Sequence, residues 1–339
     1  MKKICTWNRR SQSRLGDIMA DHEPPSLPAI EVSNLLYRYR KTVALNNASF
    51  RVEEGRIHGF VGPNGAGKTT ALRILATLLR HRQGTVRIFG HDVIADRKHV
   101  RRQIGFMPDH FSMYRQMTVF EYLDFFGAAY GLPLAERNRV IDDVLALTDM
   151  DGRRNDVIKT LSRGMQQRIS LARVLVHDPR LLLLDEPASG LDPRARIELM
   201  EILRELQRMG KTIFISSHIL SELAELCDSV TIIDRGSVKY SGTIHGLSIK
   251  DTGQGRYVFT LDDHHKADIE SIGSIDGVVE ANLAAEGNSI QIVFDSVRTD
   301  AQQVLRSLLD MGLPIESFQP DRRHLNQAFM DLTEAGLSS

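Results

Sequence analysis

The sequence predicts an α/β fold built on a parallel sheet, followed by a smaller α+β unit. Short, continuous apolar runs alternate with longer segments of helical period through the first two thirds of the chain. The runs at residues 57–61, 181–184, 212–216 and 230–233 are typical of parallel strands covered on both faces, and we expect them to form one sheet. From residue 257 onward, short strands and helices follow in the order βαββαβ.

Composition excludes several protein classes. The chain has 339 residues, 42% of them hydrophobic and 25% charged, which is typical of a globular protein and excludes wholesale disorder. Cys5 and Cys227 are the only cysteines, too few for a disulfide framework or a four-thiolate metal site, as expected in a reducing compartment. The longest apolar runs are far shorter than the ~18 residues that a transmembrane helix needs, so we predict no membrane span.

The charge distribution argues against a nucleic-acid partner. Lysine plus arginine and aspartate plus glutamate both number 43, so the formal net charge is zero. Residues 245–339 carry 7 basic and 15 acidic side chains, which leaves a basic excess in the preceding part. Much of that excess lies within the first 14 residues, and the folded middle shows no dense basic cluster. We therefore expect no binding to DNA or RNA.

The chain divides into three parts. We interpret residues 1–29, which contain three prolines and no apolar signal-peptide core, as a flexible tail; an organelle presequence and a true start at Met19 are the alternatives. Residues 30–245 form the predicted α/β domain. Within it, residues 110–160 lack strand signals, and a capping box from Thr118 to Glu121 begins a predicted helical insertion.

A small C-terminal domain is predicted over residues 256–335, after a linker at 251–255. Its strands are expected at 257–261, 278–283, 289–294 and 314–318, and its helices at 266–272, 299–311 and 325–332. This βαββαβ order is that of ferredoxin-like domains.

A phosphate-binding loop follows the first predicted strand. The pattern G-x-x-x-x-G-K-[ST] is matched by Gly62, Pro63, Asn64, Gly65, Ala66, Gly67, Lys68 and Thr69, and Thr70 opens a predicted helix at 70–79. Glycines allow backbone N–H groups to surround phosphate oxygens, and a helix N-terminus favours an anion. Lys68 would reach the β- and γ-phosphates, and the Thr69 hydroxyl would bind Mg²⁺. The alternative is a glycine-rich turn without a ligand.

Two carboxylates end another buried strand. Asp185 and Glu186 follow the apolar run 181–184, at the edge where open α/β sheets bind ligands. Asp185 suits a metal ligand, and Glu186 suits the orientation or deprotonation of a water that attacks the γ-phosphate. Alone, such a run more often is a strand that ends at solvent, but the upstream Lys68 strengthens the functional reading.

These motifs, with Ser162 and Gly164, the segment Ser189-Gly-Leu-Asp192 and His218, occur in the order seen in ATP-binding cassette (ABC) ATPases, which residues 30–242 resemble. The resemblance implies a P-loop cassette with a mixed sheet. It also implies a head-to-tail dimer in which Ser162 and Gly164 of one subunit close over ATP bound at Lys68 of the other. From residue type alone, Ser162 is equally well explained as a helix N-cap.

The resemblance also implies roles for two further side chains. His218 resembles the switch histidine that contacts the γ-phosphate, and Tyr39 matches the aromatic residue on which adenine stacks. Tyr37 is the rival for that stacking role, and both tyrosines can face the same side of one strand. We favour Tyr39 because of its spacing to the phosphate loop.

Three positions depart from the family pattern. Asp109 replaces a glutamine that senses Mg²⁺ and the attacking water; a carboxylate also binds Mg²⁺ but donates no hydrogen bond. Arg163 replaces a glycine and Met165 a glutamine in the segment that contains Ser162. Arg163 either adds charge near the γ-phosphate or faces solvent, and we favour solvent.

The expected function is that of a Mg²⁺-dependent ATPase subunit that drives an ABC exporter through a separate membrane permease. The subunit would act as a homodimer, or as a heterodimer with a second ABC ATPase, on the cytoplasmic face of the membrane. The alternatives are a conformational switch in nucleic-acid or translation machinery and a regulatory module that does not hydrolyse ATP. Aromatic side chains of the insertion either receive a permease helix or pack its own core.

Overall fold

The computed structural model describes residues 27–109, 113–244, 246–247, 254–261, 269–283 and 289–320. The strands before residue 250 are β1 (Ile30–Tyr39), β2 (Thr42–Val52), β3 (Ile57–Val61), β4 (Gln83–Ile88), β5 (His91–Asp92), β6 (Ile104–Met107), β7 (Leu181–Asp185), β8 (Thr212–Ser217), β9 (Ser229–Asp234) and β10 (Ser237–Thr243). The helices of the same part are α1 (Lys68–Leu75), α2 (Arg97–Gln103), α3 (Val119–Ala129), α4 (Leu134–Leu147), α5 (Arg163–Leu175), α6 (Pro193–Arg208) and α7 (Leu220–Ala224).

The predicted parallel sheet is confirmed. Its order is β10-β9-β3-β8-β7-β6, and all neighbours pair in parallel except β10, which pairs antiparallel with β9. Both faces of the sheet are covered: in β7, Leu182 and Leu184 belong to one buried apolar cluster, whereas Leu181 and Leu183 belong to another. Burial on both faces explains why these strands are uninterrupted apolar runs rather than alternating ones.

The structure also contains a second sheet, which we did not predict. Its strands lie before and after β3 in sequence, whereas β3 belongs to the parallel sheet. The second sheet is antiparallel and has the order β2-β1-β4-β5. Its buried side chains pack with those of α1 against one face of the parallel sheet. Because β1 pairs with β4 about fifty residues away, no local pattern separates this sheet from the α/β body.

The helix after the phosphate loop is shorter than predicted. We expected it at 70–79, but α1 begins at Lys68 and ends at Leu75. Thr77 has a φ of 60°, a left-handed conformation that a helix cannot continue through. The helix therefore ends four residues before the apolar pattern does.

The insertion is helical in its described part, residues 113–160. Helix α3 begins with the predicted capping box: Thr118 Oγ1 accepts from the Glu121 N–H at 3.2 Å, and Glu121 Oε2 accepts from the Thr118 N–H at 2.8 Å. Both hydrogen bonds satisfy amide groups that the first helical turn leaves unpaired. Short 3₁₀ turns at Asp151–Arg153 and Ile158–Thr160 lead to α5.

The C-terminal elements are β11 (Gln254–Leu261), α8 (Ile269–Gly273), β12 (Val278–Leu283), β13 (Ser289–Asp295), α9 (Ala301–Asp310) and β14 (Ile315–Pro320). Their sequence order is the predicted one. The strands form an antiparallel sheet of order β12-β13-β11-β14, with side chains of both helices in its apolar core. Gln254 and Gly255, expected in a linker, already belong to β11. The predicted helix at 325–332 and the tail at 1–26 lie outside the described residues, and the predicted domain boundaries stay predictions.

Among the helices of the described ranges, we find none that combines the length and apolar character required to cross a bilayer.

Candidate nucleotide-binding site

The phosphate loop connects β3 to α1, as the motif predicted. Gly67 is the N-cap of α1 and has a φ of 107°, and a Cβ there would overlap the Ala44 carbonyl oxygen. Gly62 is equally restricted, because a Cβ would overlap the Ile233 carbonyl oxygen. The two glycines therefore bring the loop backbone close to β2 and β9, which a residue with a side chain would prevent. The amide groups of the first turn of α1 are left at the mouth of the loop.

Lys68 lies inside the loop that it belongs to. Its ammonium group donates to the Gly62 carbonyl at 2.7 Å and the Pro63 carbonyl at 3.2 Å, and it lies 3.3 Å from Glu186 Oε1. The side chain is only 6% exposed. A buried cation held by carbonyls and one carboxylate provides a positive centre directly behind the mouth of the loop.

Asp185 is buried at the end of β7, where it pairs in register with Ser216 of β8. The Ser216 hydroxyl donates to Asp185 Oδ1 at 2.7 Å. Burial raises the pKa of Asp185, and the nearby charges of Asp109 and Glu186 add to this rise, whereas the hydroxyls of Ser216 and Thr69 oppose it. Oδ2 forms no hydrogen bond with any described residue. A buried carboxylate oxygen without a partner is an incomplete site that a cation would complete.

Glu186 occupies the first position after β7 with a φ of 50°, which few non-glycine residues adopt. Its backbone N–H donates to Ser216 Oγ at 3.0 Å. Its carboxylate lies between two groups: Oε1 is 3.3 Å from Lys68 Nζ, and Oε2 is 2.7 Å from His218 Nδ1. The two consecutive carboxylates thus have different partners: Asp185 binds Ser216, and Glu186 lies between Lys68 and His218.

A cavity of about 510 Å³ joins most of the predicted site residues. Residues of the phosphate loop and helix start, the two carboxylates Asp109 and Glu186, and His218 share its wall with Tyr39. From the loop and helix start the lining residues are Asn64, Gly65, Gly67, Lys68, Thr69 and Thr70. A volume of this size is in the range of small-molecule sites. Asp185, Gly62, Pro63 and Ala66 are not among the described residues that line the cavity.

Tyr39 and Tyr37 both lie on β1, and their rings meet edge to face with centroids 4.9 Å apart. The Tyr39 side chain is 41% exposed and lines the cavity. Tyr37 packs instead against the buried cluster beneath the antiparallel sheet. The structure thus places the favoured tyrosine at the cavity and its rival against the core.

Ser162 and Gly164 are not among the described residues that line this cavity. Ser162 is the N-cap of α5, and its hydroxyl accepts from the Met165 N–H at 3.3 Å. Gly164 faces α6, where a Cβ would come within 2.9 Å of Ala195 Cβ. The N-cap interpretation of Ser162 is confirmed as local structure. The expected role of both residues at a partner's nucleotide stays a prediction.

The two departures beside Ser162 have different environments. Met165 packs against the apolar cluster between the insertion and the parallel sheet. Arg163 is exposed, as expected, but it does not simply face solvent: its guanidinium donates to the Ser189 carbonyl at 3.0 Å. That contact corrects the solvent interpretation, since it connects α5 to the turn that follows Glu186.

Several residues of the site carried no sequence signal that we used. Thr42, Val43 and Ala44 line the cavity because the hairpin of β1 and β2 borders the phosphate loop. Ser216 positions Asp185 and Glu186 together, and only its place at the end of a predicted parallel strand points to it. Ser189, in contrast, belongs to the segment ending at Asp192 that the sequence analysis singled out, and it lines the cavity as well.

Comparison with known proteins agrees with this geometry. A model of the ABC transporter family matches residues 45–189. The daunorubicin/doxorubicin resistance ATP-binding protein DrrA of Streptomyces peucetius is 33% identical over 311 residues, which cover 90% of this chain and 92% of DrrA. The linearmycin resistance ATP-binding protein LnrL of Bacillus subtilis is 29% identical, with coverage of 90% and 98%. The Nod factor export ATP-binding protein I of Ralstonia nicotianae is 35% identical, with coverage of 69% and 75%.

Solved structures give the same result for the fold. A structure described as the ATP-binding subunit of an ABC transporter is 31% identical, with a TM-score of 0.59, and the match covers 65% of this chain and 92% of the other. CbiO1 from Clostridium perfringens, part of the ABC transporter complex cbiONQ, is 27% identical, with a TM-score of 0.58 and coverage of 66% and 96%. On its sequence relatives, fold and site geometry, the chain belongs to the ABC transporter family, as one of its ATP-binding subunits.

Proposed function

We propose that this protein is the Mg²⁺-dependent ATPase subunit of an ABC exporter and that it powers a permease on a separate chain. The observation that carries the proposal is the single cavity in which Lys68, Glu186, His218 and Tyr39 meet. Each of these side chains suits a different part of a magnesium nucleotide or its hydrolysis.

Binding of the nucleotide is assigned to the loop and the aromatic side chain. Backbone amides of the loop and the Lys68 ammonium neutralise the phosphates, with Thr70 in the first turn of α1. The exposed Tyr39 ring offers a face for adenine, and such stacking is worth roughly 1–3 kcal/mol. Stacking does not read base identity, so we expect GTP to bind as well, with an affinity set mainly by its phosphates.

Magnesium would be held by Thr69, Asp185 and Asp109. The residues fit this ion because Mg²⁺ takes oxygen ligands and Asp185 Oδ2 is a buried carboxylate oxygen without a described partner. Among the described residues, no group of three or more His, Cys, Asp or Glu side chains could hold a metal. Mg²⁺ at nucleotide sites usually takes further ligands from phosphates and water. When bound, Mg²⁺ supplies charge neutralisation at the phosphates.

Hydrolysis is assigned to Glu186 with His218. The Glu186 carboxylate accepts a proton from, or orients, the water that attacks the γ-phosphate. His218 Nδ1, 2.7 Å from Glu186 Oε2, holds that carboxylate in position while its exposed ring remains able to reach a phosphate oxygen. The Ser216 hydroxyl fixes the backbone of Glu186 from the other side.

The position of Ser162 and Gly164 supports a dimer as the active form. Ser162 and Gly164 lie at the start of α5 and do not line the cavity. Within one chain, they therefore do not cover the mouth of the phosphate loop. A second chain can supply the amide groups of its own α5 start to the γ-phosphate, by the same electrostatic rule that governs the first site. The partner is a second copy or a related ATPase.

Export and membrane location are supported by the relatives. DrrA and LnrL carry names of resistance ATP-binding proteins, and the Ralstonia relative is named for Nod factor export. These names favour an export subunit over a translation switch. The protein would then sit at the cytoplasmic face of the membrane, held there by its permease.

The proposal is tested with the purified full-length protein by measuring ATP hydrolysis at millimolar Mg²⁺ and after chelation with EDTA. We expect turnover that EDTA abolishes and that Lys68→Ala reduces to background. Arg97→Ala, an exposed basic residue outside the cavity, is the control and should retain wild-type turnover. Failure of the wild-type protein to bind or hydrolyse Mg²⁺-ATP would overturn the proposal.

Coupling is tested by searching the genes next to this one for a polytopic membrane protein and co-expressing that protein with this chain. Copurification with that protein, and ATPase stimulation by it in membranes, are the expected results. A purified ATPase that associates with no membrane protein would contradict the exporter assignment and leave the hydrolytic one intact.

A further inference from the structure

The contact between Arg163 and the turn after Glu186 is not accounted for by the functions assigned so far. Arg163 is the first residue of α5, directly after Ser162. Its guanidinium donates to the Ser189 carbonyl at 3.0 Å and covers Gly190, where a Cβ would lie 2.5–2.6 Å from three guanidinium atoms. Gly190 has a φ of 67°, a conformation that favours glycine. Because glycine has no side chain, the Arg163 guanidinium can lie directly against the backbone of this turn.

The turn on which Arg163 rests is joined to the hydrolytic carboxylate. The Ser189 N–H donates to the Glu186 carbonyl at 3.0 Å, and the Leu191 N–H donates to the Ala188 carbonyl at 3.3 Å. Ser189 also lines the nucleotide cavity. A displacement of this turn therefore changes the backbone position of Glu186, whose side chain must stay between Lys68 and His218.

The turn shares a small cavity with an ion pair between α6 and α7. Arg196 of α6 lies 2.7 Å from Glu222 of α7, the helix that follows His218, and both side chains line this cavity with Ser189 and Gly190. The hydrogen bond from Arg163 contacts the turn directly. It depends on a residue that departs from the family pattern, because a glycine at position 163 has no side chain to donate it.

We propose that Arg163 is a positioning residue that couples the start of α5 to the turn after Glu186. Its hydrogen bond connects the start of α5, which contains Ser162 and Gly164, to the turn that follows Glu186. Ser162 and Gly164, which would contact the nucleotide of a partner, therefore move together with Glu186, the base of this chain's own site. The inference rests on the proposed dimeric ATPase. In this proposal Arg163 acts by positioning Glu186 of its own chain, and its guanidinium does not contact a phosphate.

The test compares Arg163→Gly with Arg97→Gly in the full-length protein. Both changes replace an exposed arginine at the first position of a helix, and Arg97 of α2 lies outside the site, so the pair controls for lost charge and helix propensity. The first readout is amide exchange of residues 188–191 without nucleotide, measured by mass spectrometry. We expect exchange in this segment to accelerate about tenfold in Arg163→Gly only, since the tether opposes local opening.

The second readout separates positioning from binding. For Arg163→Gly we expect kcat to fall about tenfold, because misplacement of a catalytic group lowers the rate of the chemical step. The Kd for Mg²⁺-ATP and the half-saturating ATP concentration should change less than twofold, and Arg163→Lys should restore part of kcat. A variant with unchanged exchange or unchanged kcat would overturn the inference. So would a raised half-saturating concentration that Arg163→Lys fully corrects, which would indicate a charge acting on phosphate.

The two proposals fail in different ways. If the wild-type chain does not hydrolyse ATP, the proposed function fails, whereas the exchange measurement still reports whether Arg163 holds the turn. If the wild-type chain is active and Arg163→Gly behaves like Arg97→Gly in both readouts, only the Arg163 inference fails.

Discussion

The carboxylate of Glu186 lies between His218 and Lys68, with Oε2 2.7 Å from His218 Nδ1 and Oε1 3.3 Å from Lys68 Nζ. These three residues span 150 positions in sequence and follow three neighbouring parallel strands: Glu186 and His218 directly, and Lys68 after the phosphate loop. The strand order β3-β8-β7 brings the ends together, and the positive φ of Glu186 points its side chain toward both partners. This arrangement governs the predictions for hydrolysis.

Replacement of Glu186 by Gln should lower turnover by about two to four orders of magnitude, the typical contribution of a general base. The amide has nearly the same shape and still accepts a hydrogen bond, so nucleotide binding should persist. Because hydrolysis no longer reopens it, an ATP-bound dimer should accumulate, which size-exclusion chromatography with Mg²⁺-ATP can detect. Glu201→Gln, an exposed residue of α6, is the matched control. Unchanged turnover would remove Glu186 from the base role.

Asp185→Asn should make the nucleotide-free protein more stable and the enzyme inactive. Burial raises the pKa of Asp185, so the folded state binds its proton more tightly than the unfolded state does. The contribution of Asp185 to the free energy of unfolding is therefore present at low pH and is lost as the pH rises through its pKa in the folded state. Above that pKa, the folded protein must bury a charged carboxylate. The neutral amide removes that cost.

We expect the thermal midpoint of Asp185→Asn at pH 7.5 to rise by a few degrees, since ~1 kcal/mol corresponds to about 2–4 °C in a domain of this size. Added Mg²⁺-ATP should raise the wild-type midpoint and leave the variant's nearly unchanged. A variant that is less stable than wild type at pH 7.5 would contradict this account of the buried carboxylate.

Tyr39→Ala should weaken ATP binding by about one order of magnitude, within the range of roughly 1–3 kcal/mol for base stacking. The Tyr39 ring is exposed, so the thermal midpoint should hardly change. Tyr39→Trp should restore affinity because it restores an aromatic face. Tyr37→Ala is the comparison: it should lower stability by exposing the core on which Tyr37 packs, with a smaller loss of affinity. The reverse order of affinities, measured by calorimetry, would assign adenine to Tyr37.

His58 should make the protein less stable in mild acid. It is buried in β3 with its ring nitrogens 2.8 Å from the hydroxyls of Ser229 and Thr231, and burial lowers its pKa to about 3. The folded state keeps His58 neutral, whereas the unfolded chain takes up a proton below pH 6.5, so the stabilising contribution is complete above pH 6.5 and declines as the pH falls toward 3. Between pH 6.5 and 5 this one group should remove about 2 kcal/mol of unfolding free energy.

Urea unfolding at pH 7.5 and 5.0 tests this expectation. His58→Gln should be less stable than wild type at pH 7.5, and the difference should shrink by about 2 kcal/mol at pH 5.0 because glutamine does not titrate. His99→Gln, the same change at an exposed position of α2, should leave the pH dependence as in wild type. Equal pH dependence of wild type and His58→Gln would show that His58 does not cause the acid sensitivity.

Much of the fold and most of the candidate site could be predicted from the sequence. The phosphate loop is a local motif with defined backbone requirements, the parallel strands are continuous apolar runs, and Thr118 and Glu121 mark a helix start within four residues. Local patterns of this kind depend on residues that are neighbours in sequence, so periodicity and capping chemistry are enough to predict them. The order of motifs then indicated the ABC family, to which the chain belongs.

Features that depend on pairing between distant segments could not be read in this way. Three such contacts are the pairing of β1, which carries Tyr39, with β4, the hydrogen bonds of Ser216 with Asp185 and Glu186, and the hydrogen bond from Arg163 to Ser189. Each joins residues 26 or more positions apart. Such contacts follow from strand order and from backbone angles such as the φ of Glu186. The sequence pattern thus determined which side chains are available for binding and hydrolysis. Only the packing of distant segments determined which of these side chains are in contact, because contact energy depends on distance in space and not on distance along the chain.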